Sequence, residues 1–306
     1  MEMKRTIGLW VLWCVGLTLA QAGELQPLVD RAVHSTLERF QSRGLKADQL
    51  AITLIDLSTT DRPLQASYRG EVLIYPASVI KLFYLAAAHR WLEDGKFADT
   101  PELRRAMRDM IVDSSNDATH YVIDLLTGTT SGPELPEAEL KLWFEKRAVV
   151  TRHFLGLGYV GVNASKKPWG DGPYGRESQA IRAYEPKRNM LTTDATARLW
   201  VEIVTGRCVT PTRSAEMRAL LLRDPAAKTE DLDDQAKFTG TELPEGAKLW
   251  SKAGWTSQTR HESAYVEMPS GQKYVLVVFT TDHASERAIL RNVAAVVAAG
   301  MAKVRE

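Results

Sequence analysis

Cysteine is nearly absent from the chain, and its scarcity excludes a disulfide framework. Of two cysteines, Cys14 lies in the apolar start and only Cys208 in the body of the sequence, which leaves no internal pair once that start is removed. The six histidines fall at no metal-ligand spacing, and His261-Glu262 lacks the second histidine of a zinc-binding helix. Neither metal nor cofactor is expected. No sign of charge dominates either. The formal net charge is +1, without the basic excess of a nucleic-acid-binding or anionic-membrane-binding protein. No apolar run reaches the roughly 20 residues of a membrane span, and neither repeats nor low-complexity tracts occur. What is present is 44% hydrophobic content over 306 residues, ample for one large domain or two interlocked halves.

The first residues read as a leader. Lys4 and Arg5 precede an apolar run from Ile7 to Ala20, and Ala20-Gln21-Ala22 supplies small residues for cleavage. This is the pattern of a secretory signal peptide over 1–22, giving a mature domain over 23–306 and a secreted or periplasmic location. Loss of Glu2, Lys4 and Arg5 leaves the remainder neutral. Cys208 is expected in the core.

Periodicity predicts helix over 25–43, where Leu25, Leu28, Val29, Ala32, Leu37 and Phe40 recur near 3.6 residues. Leu50–Leu57 reads as a strand, with 66–73 as the second arm of a hairpin. Further helices are predicted over 78–92, 101–112, 116–126, 138–155, 195–204, 213–222 and 285–303. Strands are predicted over 247–252, 263–267 and 273–281. Residues 156–190, rich in glycine and proline, show no sustained period and read as one long loop, which in a compact domain is usually functional. The expected class is α+β (α/β in the broad sense): N- and C-terminal strands share one antiparallel sheet with flanking helices, and the middle of the chain forms an all-helical half.

Three short motifs carry chemistry. Ser78-Val79-Ile80-Lys81 is S-x-x-K; on a helix its serine and lysine share a face, and a desolvated lysine can accept a proton from the hydroxyl. The bland reading is a helix cap followed by a solvated lysine. A second copy, Ser270 to Lys273, lies in a turn and is incidental. Ser114-Ser115-Asn116 links two helices: Ser114 reads as a proton shuttle and Asn116 as a substrate-binding amide, or the serines are simply N-caps. Ser251-Lys252-Ala253-Gly254 ends a strand. There Lys252 can hold a carboxylate and Gly254 allow close approach, or the pair is a bulge glycine beside an exposed lysine.

Their order, S-x-x-K then S-x-N then K-x-G, together with Leu50–Leu57, Asn189–Ala197 and Tyr274–Thr281, resembles the class A β-lactamase family over most of the chain. The resemblance implies a penicillin-binding serine hydrolase in which Ser78 attacks the β-lactam carbonyl. The backbone N–H groups of Ser78 and Trp255 would hold the oxyanion, and Lys252 with Arg260 the substrate carboxylate. Glu177, in the long loop, would activate the deacylating water; Glu185 is its rival. The implied substrate is a β-lactam or a peptidoglycan-like peptide, acted on by a monomer without nucleic acid or metal. Alternatives are a D-Ala-D-Ala-type peptidase or other amidase, or a sensory module without turnover. The sequence departs from the family pattern at Ser115, where aspartate is usual, and at Ala253, where a hydroxyl is usual. It departs also in the glutamate loop, where Glu177 is followed by Ser-Gln-Ala-Ile without the family's usual asparagine, and in a shortened stretch between Ser78 and Ser114 that implies a more open cleft.

Overall fold

The computed structural model describes residues 22–59 and 63–303. The expected leader lies outside the described residues except for Ala22. In chain order the elements are α1 (Ala22–Phe40), β1 (Leu50–Asp56), β2 (Leu64–Tyr68), α2 (Lys81–Glu93), α3 (Pro101–Ile111), α4 (Asn116–Thr127), α5 (Glu137–Arg147), α6 (Val149–Gly156), β3 (Val162–Asn163), α7 (Gly175–Ala183), β4 (Met190–Leu191), α8 (Thr193–Val204), α9 (Pro211–Leu221), β5 (Leu222–Arg223), β6 (Lys248–Trp255), β7 (Thr259–Glu267), β8 (Lys273–Thr281) and α10 (Ala288–Lys303).

Six strands form one antiparallel sheet in the order β2-β1-β8-β7-β6-β5. The first strand thus pairs with the last, Leu50 opposite Thr280 and Asp56 opposite Tyr274, as expected of a sheet shared by the two chain ends. Alternation explains why the sheet is a middle layer. In β8, Val275, Val277 and Phe279 face the helical half, while Tyr274, Leu276 and Val278 face α1 and α10. Both faces are buried, so the strand reads as an unbroken apolar run. Each such aliphatic or aromatic side chain contributes about 1.5–3 kcal/mol by leaving water.

Several boundaries depart from the sequence reading. The second hairpin arm stops at Tyr68, because Arg69 takes a left-handed φ of +55° and turns the chain. The predicted helix over 138–155 is two helices, α5 and α6, broken at Ala148. The segment 156–190 is not wholly loop: it contains α7 and the short β3–β4 pair. Strand β6 continues through Gly254 to Trp255, so K-x-G lies inside a strand rather than at its end. Among the described residues no helix is long and apolar enough to cross a membrane.

Candidate active site

The segment before Ser78 is pinned from three sides. Ile74 exchanges both backbone hydrogen bonds with Leu191, each 2.9 Å. His261, on β7, reaches the Tyr75 carbonyl through Nε2 at 2.9 Å, while its Nδ1 accepts the Thr280 N–H at 3.1 Å. That acceptor role places the ring proton on Nε2, and burial holds His261 down to about 4, so the ring is neutral at pH 7. From the third side Gly254 presses on the Pro76–Val79 backbone. A β-carbon there would sit 2.7 Å from the Ser78 nitrogen, a distance no side chain tolerates. The chain responds with a strained residue: Ala77 holds φ at +45°, which for alanine costs about 1–2 kcal/mol. Such strain is characteristic of sites the surrounding structure over-determines.

Ser78 therefore sits not in α2 but in a 3₁₀ turn, Ala77–Ile80, that feeds it. The sequence reading joined the two. Ser78 is partly exposed and its hydroxyl makes no hydrogen bond among the described residues. Lys81 opens α2 three residues on and is fully buried. Its Nζ donates to the Ser114 carbonyl at 2.5 Å, to Asn116 Oδ1 at 2.9 Å and to Ser114 Oγ at 3.3 Å. None of these acceptors carries a full negative charge. Burial without an ion-pair partner brings Lys81 down to about 7. At neutral pH a large fraction is the free amine, able to take a proton from a neighbouring hydroxyl.

In the S-x-N segment the capping reading falls on Ser115. Ser115 Oγ caps α4 by accepting the Ala118 N–H at 3.2 Å; an aspartate would do the same, so the serine preserves the capping role. Ser114, at a left-handed φ of +54°, is turned into the cleft. Its Oγ bridges two lysines, Lys81 and Lys252, the latter donating at 3.0 Å.

Lys252 is fully buried on β6. Its other two N–H groups go to Gln235 Oε1 at 2.7 Å and the Ala253 carbonyl at 2.8 Å. Burial first, then the charges of Lys81 and Arg223, hold it well below the usual ammonium range. Ser114, Gln235 and the Ala253 carbonyl together fix the Lys252 amine in place. The Ala253 methyl lies in the apolar layer under α10 rather than in the cleft. Gln235 was not found from the sequence. It ties β6 to the end of α3, accepting from the Ala253 N–H at 3.1 Å and donating to the Ile111 and Val112 carbonyls. A single glutamine in a polar connection carries no motif that would have singled it out.

The remaining predicted residues lie further out. Trp255 ends β6 opposite Arg260 and borders a cavity of about 570 Å³ that also touches Ser114. Arg260 is occupied: it donates to Asp233 Oδ1 at 2.5 Å and to the Ala284 carbonyl at 2.8 Å. Glu177 is buried at the start of α7. Its Oε1 accepts from Arg147 and from Ser131, each 2.8 Å; Lys167 stands 3.9 Å away and also pairs with Asp124. Among the described residues Glu177 shares no hydrogen-bond partner with Lys81 or Ser114, and its Oε2 accepts none. Glu185 is 73% exposed and pairs with Lys187 at 3.1 Å. Among the described residues no group of three or more His, Cys, Asp or Glu side chains is placed to hold a metal.

Hydrogen bonds thus join Lys81, Ser114, Asn116 and Lys252, and Ser78, three residues before Lys81, has its backbone against Gly254. A model described as "Beta-lactamase enzyme family" matches residues 98–300, more than half of the chain. The chain belongs to the beta-lactamase enzyme family. The matched span contains Ser114, Asn116 and Lys252 but not Ser78 or Lys81, whose placement rests on the geometry above. Membership implies a serine hydrolase of the β-lactamase and penicillin-binding type.

Solved structures share the fold at low identity. A β-lactamase from Sphaerobacter thermophilus superposes with a TM-score of 0.64 at 18% identity, covering 90% of this chain and 98% of that one. A β-lactamase from Xanthomonas campestris pv. campestris gives 0.62 at 16%, covering 89% and 98%. PBP-A gives 0.60 at 17%, covering 88% and 97%, and a mutant of it was solved as an acyl-enzyme complex with penicillin G. No curated protein sequence matches the chain.

Proposed function

We propose that the protein opens the amide of a β-lactam through an acyl-enzyme on Ser78. The observation that carries this reading is the chain Lys81–Ser114–Lys252, a low-pKa amine joined through one hydroxyl to a second buried lysine. Lys81 as free amine takes the Ser78 proton as the oxygen attacks the carbonyl carbon. The developing oxyanion is stabilised by the Ser78 and Trp255 N–H groups. Ser114 then gives its proton to the departing nitrogen and takes one from the Lys81 ammonium through the hydrogen bond between them, so the proton removed from Ser78 ends on the nitrogen and Lys81 returns to the free amine. Asn116 keeps Lys81 in place and presents its amide N–H groups to the acyl arm. In the second half-reaction Glu177 Oε2 holds and deprotonates the water, while Oε1 stays anchored by Arg147. The test is a chromogenic β-lactam followed in the stopped-flow. A burst of one equivalent per Ser78 with continued turnover supports the proposal, and no burst in the presence of intact Lys81 contradicts it.

A second reading is an amidase for D-Ala-D-Ala-like peptides in which a β-lactam acylates Ser78 and stays. The anchoring of Glu177 by Arg147 and Ser131 favours it, because a carboxylate that serves only as a latch for α7 activates no water. A burst without turnover, together with cleavage of a D-Ala-D-Ala peptide, assigns this reading. Export through the leader over 1–22 belongs to the same proposal, and N-terminal sequencing of the mature protein should begin at or near Gly23.

A further inference from the structure

Asn116 belongs at once to the proposed catalytic groups and to a recess beside them. Its Oδ1 is taken by Lys81 Nζ at 2.9 Å, while its Nδ2 donates to no acceptor among the described residues and is the group offered to the acyl arm. The same residue lines a recess of about 410 Å³ together with Asp117, His120, Trp169, Asp171 and Tyr174. An acyl arm that meets Asn116 therefore runs on into this recess. Its walls come from two parts of the chain. Asn116, Asp117 and His120 lie near the start of α4, and Trp169 to Tyr174 in the stretch before α7. His120 Nε2 donates to the Pro168 carbonyl and ties the two together. The His120 ring centroid stands 4.4 Å from that of Trp169, and Trp169 meets Tyr174 edge-on at 5.5 Å. Burial lowers His120 below its ordinary value, against the raising effect of the Pro168 carbonyl, so the ring is largely neutral at pH 7. Lys167, whose charge His120 also feels, is paired with Asp124 at 2.8 Å and does not line the recess. Among the described residues no lysine or arginine lines it, so its charged lining consists of two carboxylates set among aromatic rings. Asp117 and Asp171 are exposed, and neither side chain makes an ion pair or hydrogen bond among the described residues. The positive end of α4 accounts for an acid at Asp117, in its first turn. It does not account for Asp171, which lies in no helix.

We infer that this recess receives a primary ammonium group carried at the far end of the substrate's acyl half, held by Asp117 and Asp171 against the Trp169 ring. The inference rests on the acyl-enzyme reading above and deepens it by naming the substrate class. An ammonium has three N–H donors and can serve two carboxylates at once, and the face of a tryptophan attracts a cation through its quadrupole.

A matched series isolates the charge. The δ-aminovaleryl, caproyl and adipoyl penicillins share one ring, one leaving group and one methylene spacer, and end in an ammonium, a methyl and a carboxylate. The second-order acylation constant should fall in that order, with about a tenfold advantage for the ammonium over the carboxylate compound at low salt. Asp171→Lys should reverse the order. Acylation by all three at equal rates, or an order unchanged in Asp171→Lys, overturns the inference while leaving the acyl-enzyme reading intact. If none of the three acylates Ser78, that reading fails, and the recess is judged by calorimetry with monoacetylcadaverine and its neutral analogue N-hexylacetamide. Tighter binding of the amine that disappears in Asp171→Lys supports the cation site; equal binding of both overturns it.

Discussion

A β-carbon on Gly254 would lie 2.7 Å from the Ser78 nitrogen and 2.8 Å from both the Val79 nitrogen and the Pro76 oxygen. The glycine two residues after Lys252 therefore lets the inner strand touch the backbone of Ser78, the proposed nucleophile. Gly254→Ala must push the 76–79 turn away from β6. Overpacking of this kind costs about 1–3 kcal/mol, and a displacement near 1 Å at a nucleophile costs about a hundredfold in rate. Both should appear together, as a lowered melting temperature and an acylation constant reduced about a hundredfold. A Gly254→Ala variant that acylates at the parent rate would show that the close approach has no catalytic consequence.

The acylation rate should rise with pH through an apparent pKa of about 7, because only the free amine of Lys81 accepts the serine proton. Stability follows the same group in a known direction. Lys81 sits below its model value of 10.5 when folded, so between about 7 and 10.5 the unfolded chain binds more protons and stability rises with pH. Lys81→Arg should abolish the acylation limb, as arginine does not deprotonate. A pH-independent acylation rate between 6 and 8 would speak against Lys81 as base.

Glu262 is buried at the back of β7 and acts on stability in the opposite sense. Burial raises it from 4.5 to about 8, against the lowering effect of Lys252 and Arg223. Folded, it stays protonated where the unfolded chain has already lost the proton. Its contribution to stability is present below about 4.5 and is lost progressively as pH rises to about 8. Glu262→Gln should remove this component, leaving the melting temperature higher than the parent's at pH 8 and flatter from 5 to 8. An unchanged profile would place the Glu262 proton elsewhere.

Glu177 and Arg147 form a buried pair, and removing one partner leaves the other's charge stranded. Breaking such a pair costs about 3–5 kcal/mol; Asp124, 3.5 Å from Arg147, reduces this. Glu177→Gln should lower the melting temperature and also slow deacylation relative to acylation. If it destabilises while turnover of a hydrolysed β-lactam stays at the parent rate, Glu177 is a latch only. The second carboxylate, Glu185, is exposed and pairs with Lys187, and Glu185→Gln should change neither quantity.

What the sequence made legible were features with a local pattern. Ser78-x-x-Lys81 shows as a three-residue spacing before an apolar helix, and Thr192 caps α8 as its residue type suggests. The shared sheet followed from apolar runs at both chain ends. Features made by distant approach were not legible. Gln235 meets Ala253 and Ile111 only after folding. The left-handed backbone at Ala77 and Ser114 is imposed by neighbours, since neither residue type favours it. Helix α7 was hidden because Gly172, Pro173 and Gly175 stand at its start and its buried face is short, with only Glu177 and Ala180 fully buried. The K-x-G spacing is legible as a motif, but the approach of its glycine to the Ser78 backbone is not, because it joins strands and turns far apart in the chain.

The central claim is that Ser78 is acylated with Lys81 as its base. The most direct measurement is intact-protein mass spectrometry, with peptide mapping, after brief exposure to benzylpenicillin at pH 7.5. The account predicts one added intact penicillin on the peptide containing Ser78, none in Ser78→Ala, and a strongly slowed appearance in Lys81→Met. A label on Ser114 or Ser270, or no label on folded parent protein, would contradict it.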